Sequence, residues 1–480
     1  MWCPKKTMTK RWTTFFAGWA TLVALCLAPL GARAQEPSAP EEAPKPAARA
    51  YPPIGDTGDE PSPDQLLPDS RPLTGVQNQT LGQIESPHSY WEPGFQYSNT
   101  VQSSQPGETS TGWSSTNYLA ATVSLLEQWR AAQLALNYSG GGTFSTDKTL
   151  GNGYFHQLGL TQNFQWARWQ VQFLDQFSYI PDSQFGFGAG TSLGLPGGAG
   201  SVGTPQTGLT GNYQSLFTAV GPRYNNNFTS QVVYQLSPRA SVNVSGTYGI
   251  LRFVDPGNID TNTAGASGGY NYLLNRNDSI GVMYSFNHYD YVGEAQGIND
   301  QVFSFVYGRK ITGRLALKVS GGPDITTFKV PVGNVSRRTS GSGGGSLTYQ
   351  FSRVLTSVSY NHGVTGGSGV FVGSESDTIQ GNVSRQLSRV WRAQANFGFS
   401  RNRELVSGAA QSGLAFDSYF AGGGLSRPFG PNANLSIAYS ANIQTGQSVS
   451  GCTVPGCSGT YTEHQIVMSF QWHTRPLVLR

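Results

Sequence analysis

The sequence predicts an all-β protein, an antiparallel transmembrane β-barrel of about 18 strands preceded by a Pro-rich leader without regular structure. Three observations carry that expectation. Apolar and polar residues alternate with period two through segments of roughly ten residues or more, and a tilted strand needs ~9 to 11 residues to cross a bilayer. Very short links and long loops follow one another in strict alternation, so the long loops all leave one edge of the sheet. The composition is poor in charge without being strongly apolar: charged residues make up 12%, beside 61 Gly, 22 Tyr and 25 Phe.

The chain opens with Lys5, Lys6, Lys10 and Arg11, a mostly apolar run from Phe15 to Leu30, and the small-residue triplet Ala32-Arg33-Ala34. That order reads as a secretory signal peptide over residues 1–34, cleaved before Gln35. Without Lys5, Lys6, Lys10, Arg11 and Arg33, the 31 basic residues fall to 26 against 27 acidic ones. A net charge near −1 does not suggest a nucleic-acid partner. Residues 35–87 are rich in Pro, Ala, Glu and Asp and have no apolar period, as in Pro37-Ser-Ala-Pro-Glu-Glu-Ala-Pro44. They read as a disordered periplasmic leader, either an unconstrained tail or a tether to a periplasmic partner. Beyond residue 34 no run approaches the ~18 apolar residues of a membrane helix. A sheet in lipid must then be closed, because lipid offers no partner to an open edge.

Residues 88–480 carry the alternation. Trp391, Ala393, Ala395, Phe397 and Phe399 alternate with Arg392, Gln394, Asn396, Gly398 and Ser400. Val242, Val244, Gly246, Tyr248 and Ile250 alternate with Asn243, Ser245, Thr247 and Gly249, and Leu347, Tyr349 and Phe351 with Ser346, Thr348, Gln350 and Ser352. Each run places bulky apolar groups on one face and small polar groups on the other. In a barrel the first face meets lipid and the second meets water. Asp175 falls on the apolar register of Trp169, Val171, Phe173, Phe177 and Tyr179, which reads as a local bulge or as a lumen-facing switch in register.

Short links are expected at Gln128-Trp-Arg130, Trp166-Ala-Arg168, Ser237-Pro-Arg239, Asn275-Arg-Asn277, Ile311-Thr-Gly313, Arg353-Val354, Leu387-Ser-Arg389 and, slightly longer, at Arg427 to Asn432. Long loops are expected over 140–153, 181–213, 254–265, 290–298, 321–345, 364–376, 401–412 and 444–461. Together they define 17 strands from about Trp113 to Trp472, and closure needs an even number. Tyr90 to Asn99 supplies the eighteenth; 16 is the alternative if one hairpin is misread. Tyr and Trp near strand ends, among them Trp129, Trp166, Tyr179, Tyr289, Tyr419 and Trp472, suit a girdle at headgroup level.

Little in the chain points to chemistry. His156, His288, His362, His464 and His473 are scattered without ligand spacing, and no Ser, His and acid constellation stands out. We therefore expect no metal, no cofactor and no catalytic residue. Cys452 and Cys457 are the candidate for a small loop disulfide in an exported chain. The registers turn Arg314, Lys318, Arg392, Gln394, Asn396, Gln350 and Asn243 inward as pore-lining candidates, with Gln170, Gln172 and Gln465. That sparse basic set predicts a weak preference for anions or neutral solutes. Residues 181–212, with Phe185, Phe187 and Leu193, form either a constriction folded into the barrel or an external loop.

The segment Thr462-Glu-His-Gln-Ile-Val-Met-Ser-Phe-Gln-Trp472 resembles the terminal strand that bacterial outer-membrane barrels present to their assembly machinery, here set internally because the chain continues to Arg480. The order of signal peptide, Pro-rich leader, and Gly and Tyr-rich hairpins with Arg at the short turns resembles the poorly characterised, porin-like outer-membrane proteins of acidobacteria-like genomes. The resemblance implies an outer-membrane location, with outer-membrane lipid and the barrel assembly machinery as partners, and brings no catalytic residue. Diffusion of small hydrophilic solutes, sugars among them, is the expected role. The alternatives are the barrel component of a polysaccharide export system and a structural or adhesive barrel.

Overall fold

The computed structural model describes residues 89–103, 112–146, 152–180, 222–254, 258–332, 335–350, 354–369, 371–405, 415–430, 432–446 and 459–478. Residues 1–87, read above as signal peptide and leader, lie outside the described residues, as do Phe185, Phe187, Leu193, Cys452 and Cys457.

Eighteen long strands follow one another in the order of the chain. They are β1 (Tyr90–Ser103), β2 (Trp113–Gln128), β3 (Ala132–Ser145), β4 (Asn152–Gln165), β5 (Trp169–Ile180), β6 (Arg223–Ser237), β7 (Ala240–Phe253), β8 (Thr261–Leu273) and β9 (Asp278–Tyr291). The second half comprises β10 (Gly297–Thr312), β11 (Leu315–Val332), β12 (Val335–Gln350), β13 (Val354–Thr365), β14 (Ser374–Gln386), β15 (Arg392–Glu404), β16 (Ala415–Phe429), β17 (Ala433–Gly446) and β18 (Gly459–His473), with a two-residue β19 (Leu477–Val478). Each long strand pairs antiparallel with its neighbours in sequence. β1 closes the ring by pairing with β2 on one side and with β18, from Gly94↔His473 to Gln102↔Gln465, on the other. Eighteen strands is therefore the number, and 16 is set aside.

Pro93 is placed where β1 leaves the ladder to β18, so its missing N–H interrupts no rung on that side. Thr474 N instead donates to the Pro93 carbonyl at 2.9 Å. The chain beyond Trp472 continues along β1 as β19, pairing Leu477 with Trp91 and Val478 with Tyr90, which closes the seam at the short-turn end.

The faces are inverted relative to a soluble protein. On β1 the inward Gln96, Ser98, Thr100 and Gln102 are buried, while Phe95 and Tyr97 are 41% and 43% exposed on the outside. β18 repeats the pattern, with Val467 and Ser469 buried within and Ile466, Met468 and Trp472 exposed. A closed sheet with an apolar exterior and a polar interior satisfies both its backbone and lipid, which is the arrangement of an outer-membrane barrel.

All eight short links stand where the sequence places them. Several long loops are shorter than the sequence places them, 140–153 shrinking to 146–151 and 290–298 to 292–296, and one all but disappears. Residues 321–345 continue β11 and β12 on paired rungs such as Gly321↔Gly343 and Asp324↔Ser340, leaving only Gly333 and Asn334 between the strands. Gly and Ser are weak strand formers alone, but an antiparallel neighbour satisfies their backbone whatever the side chain.

Asp175 is a second correction. The ladders of β5 to β4 and to β6 run through it without a register shift, pairing it with Leu160 and Phe228. It is neither a bulge nor turned inward. It stays on the outward face, where Asn226 Nδ2 donates to its Oδ1 at 2.9 Å. Tyr289 also departs from expectation: it is buried on the inward face at the long-loop end and takes no part in the outer girdle.

Candidate functional site: the barrel interior and its mouth

The inward wall is lined by amides lying flat against glycines. Asn243 is fully buried on β7 and stands opposite Gly269 on β8, where a Cβ would come within 2.8 Å of its Oδ1. Asn271 stands likewise opposite Gly281 on β9, and its Nδ2 donates to Asn243 Oδ1 at 3.2 Å. Asn396 on β15 lies over Gly422 on β16, with 2.9 Å from its Oδ1 to the position a Cβ would take. A side chain on any of these glycines would push the amide off the wall and toward the axis. The abundance of Gly thus has a structural use: it lets amides lie flat along the inward face.

Of the residues singled out in the sequence, Asn243, Gln350, Gln394, Asn396 and Lys318 fall at inward positions of β7, β12, β15, β15 and β11. Lys318 stands opposite Gly308 and Ser346. Arg392 begins β15 and is exposed at the short-turn rim. Arg314 is not on the wall. The rung Thr312↔Leu315 closes its hairpin and leaves Gly313 and Arg314 as the turn.

The structure adds acidic groups that the sequence did not single out. Asp300 on β10 and Asp324 on β11 are both buried on the inward face, in hydrogen-bond contact with each other, and Asn287 bonds to Asp300. Thr326 Oγ1 donates to Asp324 Oδ1 at 3.4 Å. Glu463 on β18 is a third, with Asn442 Nδ2 donating to it at 3.0 Å. The interior therefore holds both signs: the aspartates toward the long-loop end, Lys318 below them on the strand of Asp324, and Arg392 at the opposite rim. No signal marked Asp300, because Ile298, Val302 and Val306 within and Phe303 and Phe305 without make both faces of β10 apolar.

At the long-loop end the interior holds a buried apolar cluster. Inward Tyr289, Tyr291, Ile298 and Phe328 form a buried cluster with Leu405, joined by Ile259, Val332, Val364 and Val372. The segment between β13 and β14 folds over this cluster. The Tyr289 hydroxyl donates to the Val364 carbonyl at 3.3 Å, Ile259 N to Gly369 O at 2.7 Å, and Leu405 N to Gly373 O at 3.2 Å. Phe371 is buried against Phe416 of β16, ring centroids 5.6 Å apart. Residues 364–373 thus touch β7 to β10 on one side and β15 to β16 on the other.

Glycine makes that path available. Gly367 and Gly373 adopt φ of +80° and +79°, a region that disfavours any side chain. At Gly373 a Cβ would also strike Ile298. The sequence marks 364–376 only as a Gly-rich loop, because what folds it inward is a set of contacts with strands up to more than a hundred residues away.

No protein-family model matches the chain, and no curated protein matches it. Among solved structures, it is similar to Pseudomonas aeruginosa OpdQ, with 8% identity and a TM-score of 0.40 over 81% of this chain and 99% of that one. It is similar to Acinetobacter baumannii OccAB3, with 9% identity and a TM-score of 0.42 over 80% and 99%. A third is P. aeruginosa OccK2 (OpdF) in complex with glucuronate, with 8% identity and a TM-score of 0.42 over 80% and 98%. Identity this low transfers no residue role, and none of these likenesses supports the narrower resemblance to proteins of acidobacteria-like genomes.

Proposed function

We propose that the protein is an outer-membrane channel for small hydrophilic solutes, sugars among them, narrowed at its long-loop mouth by residues 364–373. The observation that supports this reading most directly is the wall. Amides held flat over Gly269, Gly281 and Gly422 line the inward face with polar groups, which a merely structural barrel does not require. Asn243, Gln350, Gln394, Asn396 and Lys318 would line the path, with Arg392 and Arg314 at its periplasmic rim. With Asp300, Asp324 and Glu463 also facing inward, the field inside is mixed in sign, which favours neutral polar solutes over either ion class.

The test is swelling of vesicles carrying the refolded protein in isotonic arabinose, glucose and a trisaccharide. Entry that falls as solute size rises is expected. Vesicles that exclude all three, with no current in a planar bilayer, would sink the channel reading. The packed mouth would then favour a stoppered structural or adhesive barrel.

A further inference from the structure

The outward surface is divided as unevenly as the interior. On β1 to β4 the outward side chains toward the long-loop end are neutral apart from His156: Asn99 donates to Ser115 and Asn117, and the Tyr138 hydroxyl meets His156 Nδ1 at 2.9 Å. On β13 to β16 the same level carries a row of charge. Asp377 is met by the Tyr360 hydroxyl at 2.9 Å and by His362 Nδ1 at 2.8 Å. Glu375 is met by Arg338 at 2.7 Å and by His362 Nε2 at 3.4 Å. The next strand adds Arg401, whose Nε is 3.6 Å from Asp417 Oδ1, and Arg403.

Both carboxylates of β14 are thus occupied by β12 and β13, and Arg403 is left over. It is exposed, stands opposite Glu375, and makes no ion pair within 4.0 Å among the described residues. Arg401 is two residues away on the same face, ~7 Å along the strand by the rise of a β-strand. Apolar surface continues below them on the same face: Phe399 packs on Tyr419 at 5.1 Å between centroids, and Tyr419 and Ile379 are 50% and 38% exposed.

From this juxtaposition we infer that the outward face of β14 to β16 seats an outer-leaflet lipid with a phosphate-bearing headgroup. Its phosphate meets the guanidinium groups of Arg401 and Arg403, and its acyl chains lie on Ile379, Phe399 and Tyr419. A guanidinium matches phosphate geometry with paired hydrogen bonds. An uncharged headgroup without phosphate leaves Arg403 without a partner. A purely anionic soluble molecule leaves the apolar strip below uncovered. The inference rests on the outer-membrane reading but is independent of whether the barrel conducts.

The experiment is native mass spectrometry of the full mature chain in detergent, titrated with bisphosphorylated lipid A and with its dephosphorylated form. The wild type should retain the phosphorylated lipid at least about tenfold more strongly than the dephosphorylated one, since charge-assisted hydrogen bonds carry the difference. The Arg401→Gln/Arg403→Gln protein should lose that preference. Because Arg401 also faces Asp417, Arg403→Gln alone is the second variant, free of effects on an ion pair, and should lose most of it. Arg385→Gln, on β14 toward its short-turn end, should change nothing. Equal retention of the two lipids by the wild type, or undiminished preference in Arg403→Gln, or equal loss in Arg385→Gln, would overturn the inference. A wild type that conducts solutes yet shows no lipid preference would end this inference and leave the channel standing.

Discussion

The two ends of the barrel are held by different kinds of contact. At the short-turn end hairpins close within a few residues of chain: Trp129 N donates to Ala132 O, Trp166 N to Trp169 O, and Asn275 accepts from Asn277 and Asp278. At the long-loop end the β13–β14 segment is held by Ile259, Tyr289, Leu405 and Phe416, none of them near it in sequence. Local closure holds the short-turn end, and long-range packing holds the other.

The most direct way to break this difference is to give the mouth a short turn. Thr365 and Ser374 form the last rung between β13 and β14. Replacing residues 366–373 with Asn-Gly should therefore close a regular two-residue hairpin, the turn whose twist matches its strands. If the segment narrows the path, single-channel conductance should rise by about severalfold, since current follows the width of the constriction. Unchanged conductance would place the narrowest point elsewhere.

The wall between the ends should respond next. Gly269→Leu introduces a side chain where Asn243 Oδ1 lies 2.8 Å from the would-be Cβ, and must displace that amide. Overpacking of this kind costs about 1–3 kcal/mol, and a fall in conductance should accompany the lowered urea midpoint. A loss of stability with unchanged conductance would mean that Asn243 moves along the wall and not into the path.

The same contrast explains what could be read in the sequence. Strand number, the eight short links and the inward setting of Asn243 and Asn396 follow from period-two alternation, which is a local signal. The β11–β12 extension was missed because Ser340-Gly-Ser-Gly-Gly-Gly-Ser346 has no alternation to show; only its neighbour β11 makes it a strand. The same lack of alternation sets Asp324 in a loop by sequence. The Asn–Gly pairs need the cross-strand register, and the mouth needs contacts between segments far apart in the chain. Asp175 was misjudged on a different ground: a carboxylate on the lipid-facing register looks like an error of register until Asn226 on the next strand is seen to meet it.

That pair gives a smaller prediction. Asn226→Leu alone leaves a carboxylate among Leu160, Phe173 and Phe228 without its side-chain donor, and should lower stability by about 1–3 kcal/mol. The double change Asp175→Leu/Asn226→Leu removes both polar groups and should restore or exceed the wild-type value, as replacement of buried polar pairs by apolar ones often does. Urea unfolding in lipid vesicles measures both. A double variant weaker than the single one would show that the pair holds β5 to β6 and is not merely tolerated there.

The smallest effect is expected at the short-turn rim. The Arg427 guanidinium lies 5.4 Å from the ring centre of Trp391 and 4.9 Å from that of Phe429, tying the β14–β15 link to the β16–β17 link. Such contacts at exposed sites contribute about 0.5–1 kcal/mol. Arg427→Met keeps most of the apolar length and removes the charge, so it should shift the unfolding midpoint by no more than that and leave conductance untouched. If it instead lowered stability by as much as Asn226→Leu, the short-turn end would depend on contacts between hairpins after all, and the contrast between locally closed and remotely packed ends would fail where it is now sharpest.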